Sequence, residues 1–217
     1  MGHHLPFFFA ELPEDIMVAD LEESLDEESF CAAGAPQETA RLRLDLPRSD
    51  DLADIVTLAN NRKVATMVAT MPSPFTLDDG RALVARAAAA TRDRAKFAIR
   101  MKSTGRFIGA ASFQRSEEDG SIHLGYWLGE PFWGQGLATE AAQSVVDFIF
   151  CSTGATRLTG AARVTNPASR RVLMKCGFHL LDQGMIHSRG AGGPVAVDRF
   201  GLDRSTWLAL KRWGKVS

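Results

Sequence analysis

Leu124-Gly125-Tyr126-Trp127-Leu128-Gly129-Glu130-Pro131-Phe132-Trp133-Gly134-Gln135-Gly136-Leu137-Ala138-Thr139-Glu140 carries the chain from a strand pattern, through a short turn, into a glycine-spaced loop that opens directly into an amphipathic helix. Gly134 and Gly136 remove two Cβ atoms where the backbone would have to approach a ligand closely. The unpaired N–H groups of a helix's first turn converge on one spot, and the helix dipole adds partial positive charge there. That combination suits a diphosphate; a plain packing turn is the other reading of the same residues. The segment is not a P-loop, because no Gly-Lys-Ser/Thr follows, and it lacks the three-glycine spacing of a dinucleotide fingerprint.

Upstream of this stretch, Arg41-Leu42-Arg43-Leu44-Asp45-Leu46 alternates with period two, as a half-buried strand does, and Pro47 ends it. Ser49 is placed to cap a helix through Asn60 with Leu52, Ile55, Val56 and Ala59 on one face. Thr76 and Asp79 form an acidic capping box for a helix from Leu77 to Thr91. Phe97–Met101 and Phe107–Phe113 flank the hairpin signal Lys102-Ser103-Thr104-Gly105-Arg106, and Glu117-Glu118-Asp119-Gly120 turns the chain into Ile122–Leu128. Three consecutive antiparallel strands therefore lead into the glycine loop, which argues against a Rossmann unit. Downstream, a helix over 136–150 shows Ala138, Ala142, Val145 and Ile149 on one stripe. The strand Arg157–Val164 then precedes a short helix, Pro167–Cys176, with Asn166 as N-cap, Pro167 at N1 and Gly177 as C′ residue. Phe178–Leu181 and Val195–Leu202 complete the strands, joined through a Gly-rich loop at 190–193.

The chain has 217 residues and a net charge of −1, which conceals an asymmetry. Residues 1–38 hold ten acidic side chains and no Lys or Arg, so residues 39–217 carry 25 basic against 16 acidic side chains. We expect an acidic N-terminal extension over 1–38, with one short helix near 19–30, and a single domain over 39–217. The positive domain speeds the approach of a polyanion, or is simply a solvated surface. No basic stripe interleaved with aromatics is present, so a nucleic-acid partner is not expected. Cys31, Cys151 and Cys176 have no metal-ligand spacing and read as reduced thiols of a cytoplasmic protein. The apolar run Leu5–Ala10 has no basic segment before it, which argues against a signal peptide, and no stretch is long enough to cross a membrane.

Together with Asn166-Pro167-Ala168-Ser169 and Lys175-Cys176-Gly177-Phe178, the glycine loop resembles the GNAT superfamily of N-acetyltransferases, in the branch related to the RimJ/RimL ribosomal-protein acetyltransferases. The resemblance covers residues 39–205. It implies an α/β (α+β) fold with a mixed, mostly antiparallel central sheet flanked by helices, and acetyl-CoA as co-substrate. The backbone at Trp127 and Leu128 would hydrogen-bond the pantetheine arm where two strands splay. Gly134, Gln135, Gly136, Leu137 and Ala138, with Thr139 in the same turn, would hold the pyrophosphate. Asn166 would reach the pantetheine, Ser169 would lie near the thioester sulfur, and Arg163, Arg170 and Arg171 could serve the remaining phosphate charge.

One departure concerns the tyrosine that many family members carry in the helix after the Asn, as proton donor to the leaving thiolate. Here that position is Leu173, and the chain's single tyrosine is Tyr126 on the preceding strand; Ser169 is the better-placed donor. The implied reaction is direct acetyl transfer to a primary amine, a protein N-terminal α-amine or a small-molecule amine. His123 and Glu140 are the candidate bases, although His123 also reads as a polar strand position and Glu140 as a first-turn acid favoured by the dipole. The helices at 49–60 and 77–91 and a loop at 183–194 would frame the acceptor cleft. The alternative is a non-catalytic acyl-CoA sensor on the same fold. No metal is expected, and monomer and homodimer both stay open.

Overall fold

The computed structural model describes residues 37–213. The elements run β1 (Gln37–Glu38), β2 (Leu42–Asp45), a 3-10 turn (Ser49–Asp51), α1 (Leu52–Ala59), α2 (Arg62–Ala65), α3 (Leu77–Ala88), β3 (Arg94–Met101), β4 (Phe107–Arg115) and β5 (Ile122–Leu128). After a second 3-10 turn (Glu130–Phe132) come α4 (Leu137–Thr153), β6 (Arg157–Arg163), α5 (Pro167–Lys175), β7 (His179–Ser188), β8 (Gly193–Asp203) and α6 (Arg204–Trp213). All eight strands form one sheet in the order β1-β2-β3-β4-β5-β6-β8-β7. Every neighbouring pair is antiparallel except β5–β6, which is parallel. This is the mixed, mostly antiparallel sheet flanked by helices that the resemblance implies.

The period-two patterns explain the layers. Ile122, Leu124 and Leu128 of β5 join Leu42, Leu44, Phe97, Ile99 and Leu158 in the larger apolar cluster, where α4 contributes Leu137, Ala142, Val145 and Ile149. Trp127, one residue out of phase, faces a second cluster with Ile55, Leu58, Leu83 and Phe107 under α1 and α3. Residues of opposite parity on a strand point to opposite faces, so one sheet serves two cores. A Cβ at Gly109 of β4 would stand 2.2 Å from the Trp127 carbonyl oxygen; only glycine permits β4 and β5 to approach so closely there.

Several boundaries differ from the sequence reading. Ser49 opens a 3-10 turn instead of capping α1; Asp51, which ends that turn, accepts from Arg48 N at 2.7 Å, and α1 starts without a side-chain cap. Asp51 is also half of a buried ion cluster: Arg100 donates to Asp51 Oδ2 at 2.8 Å and to Asp45 Oδ1 at 2.7 Å. α3 keeps its Thr76–Asp79 capping box but stops at Ala88. The expected loop at 183–194 is mostly strand, because β7 runs to Ser188 and only residues 189–192 turn. Gln37 and Glu38 pair with Leu44 and Arg43, so the sheet begins inside the stretch taken as extension; the helix expected near 19–30 lies outside the described residues. Cys176 is a buried free thiol, as the reduced reading expects, whereas Cys151, half-buried in the last turns of α4, is disulfide-bonded and departs from it. No helix among the described residues is long and apolar enough to cross a membrane.

Candidate active site

β5 and β6 are joined only through Ile122–Leu158, His123–Thr159 and Leu124–Gly160. Beyond Leu124 the two strands part, while β5 stays zipped to β4 through Leu128. Gly129 N donates to Ile108 O at 2.9 Å, and ladder bonds alternate from one residue to the next. Hence the Trp127 backbone faces β4, and the Tyr126 and Leu128 backbones face the gap. The Leu128 carbonyl is already taken by the Trp133 indole N–H at 2.7 Å. An extended ligand with amides of its own fits along such an open strand edge.

At the mouth of that gap sits the glycine loop. Gly134 and Gly136 have φ of +75° and +77°, a region disfavoured for residues with a Cβ. Gly136 is the N-cap of α4 and provides no side-chain cap. Among the described residues, no carbonyl or side chain accepts from the backbone N–H of Gly134, Gln135, Gly136, Leu137, Ala138 or Thr139. Orphan amides at a helix start, without capping side chains, are the arrangement that binds anions. The capping alternative, a plain packing turn, would have filled these amides from within the chain.

Arg41, which sequence reasoning overlooked, flanks this loop. Its Nη1 donates to Gln135 O at 2.9 Å, and its Nε donates to Glu140 Oε2 at 2.7 Å. Glu140 also accepts from Thr39 Oγ1 at 2.6 Å and from Arg41 N at 2.8 Å. Burial alone would raise the Glu140 pKa, but those hydrogen bonds and the guanidinium charge outweigh it and hold the carboxylate below its ordinary value. Glu140 is therefore an anchor between α4 and the β1–β2 segment, an occupation that leaves it poorly suited to take a proton from an amine. The signal could not be read locally, since Thr39 and Arg41 lie about a hundred residues away in sequence.

On the other wall, Asn166 Oδ1 accepts from Ser169 N at 3.1 Å and caps α5; its amide nitrogen has no such commitment among the described contacts. The Ser169 hydroxyl lies 3.0 Å from the Tyr126 hydroxyl, which also donates to Ser169 O at 3.1 Å. Burial raises the Tyr126 pKa well above the usual phenol range despite the Ser169 hydrogen bond, so Tyr126 stays protonated. Leu173 is buried and packs on Gly160, where an added Cβ would come within 2.9 Å of its Cδ2. The departure at that position is a packing residue, and the chain's tyrosine hydroxyl reaches the same helix from β5 instead.

His123 and Trp127 share the opposite face of β5. The His123 ring keeps solvent contact, with Nδ1 3.4 Å from Thr159 Oγ1, yet the surrounding protein lowers its pKa by stripping water from the charged form. Arg163 and Arg170 both have partners within the chain. Arg163 Nη1 donates to Thr66 O at 2.5 Å, and Arg170 Nε lies 3.1 Å from the buried carboxylate of Asp198. Arg189 N donates to Ala69 O at 2.8 Å. The end of β6, the segment after α2 and the 189–192 turn thus meet on the Trp127 side, where the helices were expected to frame an acceptor cleft.

The profile of the acetyltransferase (GNAT) domain matches residues 41–179. The chain is 33% identical over 110 residues to the uncharacterized N-acetyltransferase p20 of Bacillus licheniformis, covering 49% of this chain and 61% of that protein. It is 36% identical over 74 residues to the ribosomal-protein-serine acetyltransferase of Escherichia coli K12, covering 34% of this chain and 41% of the relative. The chain therefore spans less than two thirds of the length of these relatives. Its fold is similar to Mycobacterium smegmatis RimJ in complex with CoA-disulfide, with a TM-score of 0.66 at 19% identity over 76% of this chain and 82% of that one.

Proposed function

This chain belongs to the GNAT acetyltransferase family, and on that premise we propose that it moves the acetyl group of acetyl-CoA directly to a primary amine, either a polypeptide N-terminal α-amine or a small-molecule amine. One observation carries the reading: six consecutive backbone amides, with left-handed glycines first and third among them, stand uncapped among the described residues at the start of α4, beside the parted strands. Gly134 to Thr139 would hold the pyrophosphate, with the Arg41–Glu140 ion pair fixing the loop beside them. Tyr126, Leu128 and the Asn166 amide nitrogen would hold the pantetheine arm. Trp127 contributes through its ring on the acceptor side, because its backbone is spent on β4.

The co-substrate supplies an activated acyl thioester whose leaving group is a thiolate. The chain's own part is to position the two reactants, which supplies much of an acceleration by itself, and to manage two protons. Ser169 would donate toward the sulfur, with Tyr126 holding its hydroxyl in place. His123, kept neutral by its surroundings, is the remaining candidate to accept the amine's proton, directly or through water. An alkyl amine near pKa 10 needs that help more than a peptide α-amine near 8. The RimJ/RimL-like similarity favours the α-amine as acceptor.

The test pairs calorimetric titration of CoA with thiol release from acetyl-CoA, across peptides with free N-termini and across polyamines. CoA binding with acetylated product confirmed by intact mass supports the reading. Tight CoA binding without thioester consumption over the panel would favour the acyl-CoA sensor, and absence of CoA binding sinks both.

A further inference from the structure

The register that joins β5 to β6 fixes which side chains border the gap beyond it. His123 pairs with Thr159, and the two lie on one face, the Thr159 hydroxyl 3.4 Å from the His123 ring. Every second residue of a strand returns to the same face. Two residues further on, Gly125 therefore stands opposite Ala161, and four further on, Trp127 stands opposite Arg163 across the widening gap. Gly125 and Ala161 leave their row nearly bare of side chain, and pairing extends that row through Ser112 of β4 to Lys96 of β3. A lane of small residues thus crosses the Trp127 face, with Trp127 and Arg163 one row above it.

Arg163 is partly buried there, and its charge has no counter-ion. Its Nη1 donates to the Thr66 carbonyl, a neutral partner, while its Nε is buried without a hydrogen-bond partner. A guanidinium taken out of water is costly unless an anion meets it. Among the described residues, no carboxylate lies within ion-pair distance of Arg163, Lys96 or Arg86. Burial lowers the Lys96 pKa, and the Arg86 charge adds to that effect. The acids of the surrounding elements are committed elsewhere. Glu130 accepts from Lys63 and Asn61, Asp79 accepts from Thr76, and Asp182 pairs with Arg199.

We propose that Arg163 is a specificity residue for the acceptor, binding a carboxylate carried by the same molecule as the amine to be acetylated. That carboxylate is the α-carboxylate of an amino acid or an acidic side chain near a peptide's N-terminus; a planar guanidinium fork suits either. The inference rests on the acetyl-transfer reading, because only then does an amine enter the gap between Trp127 and Arg163. The same positive field repels a second ammonium, so polyamines are disfavoured acceptors.

The test measures thiol release from acetyl-CoA with three amidated tetrapeptides that differ only in aspartate, alanine or lysine at the second position. Free serine against serinamide, and spermidine, complete the panel. A carboxylate-bearing acceptor should have a kcat/KM about tenfold or more above its neutral counterpart, the size of a hydrogen bond to a charged group. The lysine peptide and spermidine should be poorest. A preference confined to the peptides assigns a side-chain carboxylate, and one confined to serine an α-carboxylate. Arg163→Gln, whose amide can still donate to Thr66 O, should bring the preferred acceptor down to its neutral counterpart and leave that counterpart unchanged. CoA affinity by calorimetry is the fold control, and Arg163→Lys, which keeps the charge, should retain part of the preference. Wild-type values alike across the panel, a preference for cationic acceptors, or an Arg163→Gln loss equal for every acceptor overturns the inference and leaves acetyl transfer standing. CoA binding with no acceptor acetylated removes the acetyl-transfer reading, and this inference with it.

Discussion

Ser169 has its backbone amide bound by Asn166 and its hydroxyl beside a phenol that stays protonated. A hydroxyl held by Tyr126 on a capped helix turn is restricted in rotamer, as the proposed proton donor to a leaving thiolate would need to be. Ser169→Ala should lower kcat by up to roughly 10²-fold with little change in CoA affinity, and Tyr126→Phe by less, both measured by thiol release with a saturating acceptor. Away from the site, the Arg100 cluster sets acid stability. Burial pushes the Asp51 carboxyl up, but hydrogen bonds from Arg100 and Arg48 and their charges leave it below 3.8. A depressed carboxylate contributes stability that is fully present above its unfolded pKa and is lost as pH falls through the folded value. Asp51→Asn should lower stability at neutral pH by about 3 kcal/mol, since it strands part of a buried charge, and should flatten the acid limb of a urea-denaturation series. Asn166 as cap and Gly177 as left-handed C′ residue were legible in the sequence because capping is local. The Glu140 partnership and the Arg100 cluster were not, because both join segments that meet only after folding.

Elements that decide the site were read with little error. Ile122–Leu128 is the observed β5 residue for residue, and the three antiparallel strands before the glycine loop follow from turn chemistry. β7 was cut short at Leu181 because Asp182-Gln183-Gly184 carries no hydrophobic pattern; it is an edge strand, exposed over most of its length and held by its ladder to β8. α6 went unread for a related reason. It buries only Trp207 and Leu208, and Trp207 is fixed by stacking on Phe150 at 5.0 Å and by donating to Asp147 at 2.8 Å. Two substitutions probe the elements. Gly136→Val places a β-branched residue at a φ of +77° and should weaken CoA binding on the order of 10- to 100-fold through misdirected amides, measured by calorimetry. Glu140→Ala should release α4 from the β1–β2 segment and lower the midpoint of thermal unfolding. A base would instead show an unchanged midpoint and a collapsed kcat.

Over the whole molecule, binding and stability are linked. A ligand that recognises only the folded chain stabilises it by about 2.7 kcal/mol at a hundred times its Kd, which for a domain of this size raises Tm by roughly 5–10 °C. Scanning calorimetry with CoA should show that rise for the wild type and a much smaller one for Gly136→Val. The parting of β5 from β6 has a mechanical meaning at this scale. Eight strands are in effect a five-strand panel and a three-strand panel, hinged on three residue pairs. An extended guest laid in the seam would extend the pairing where the chain itself leaves off, so on the proposed reading the co-substrate would act as mortar between the panels.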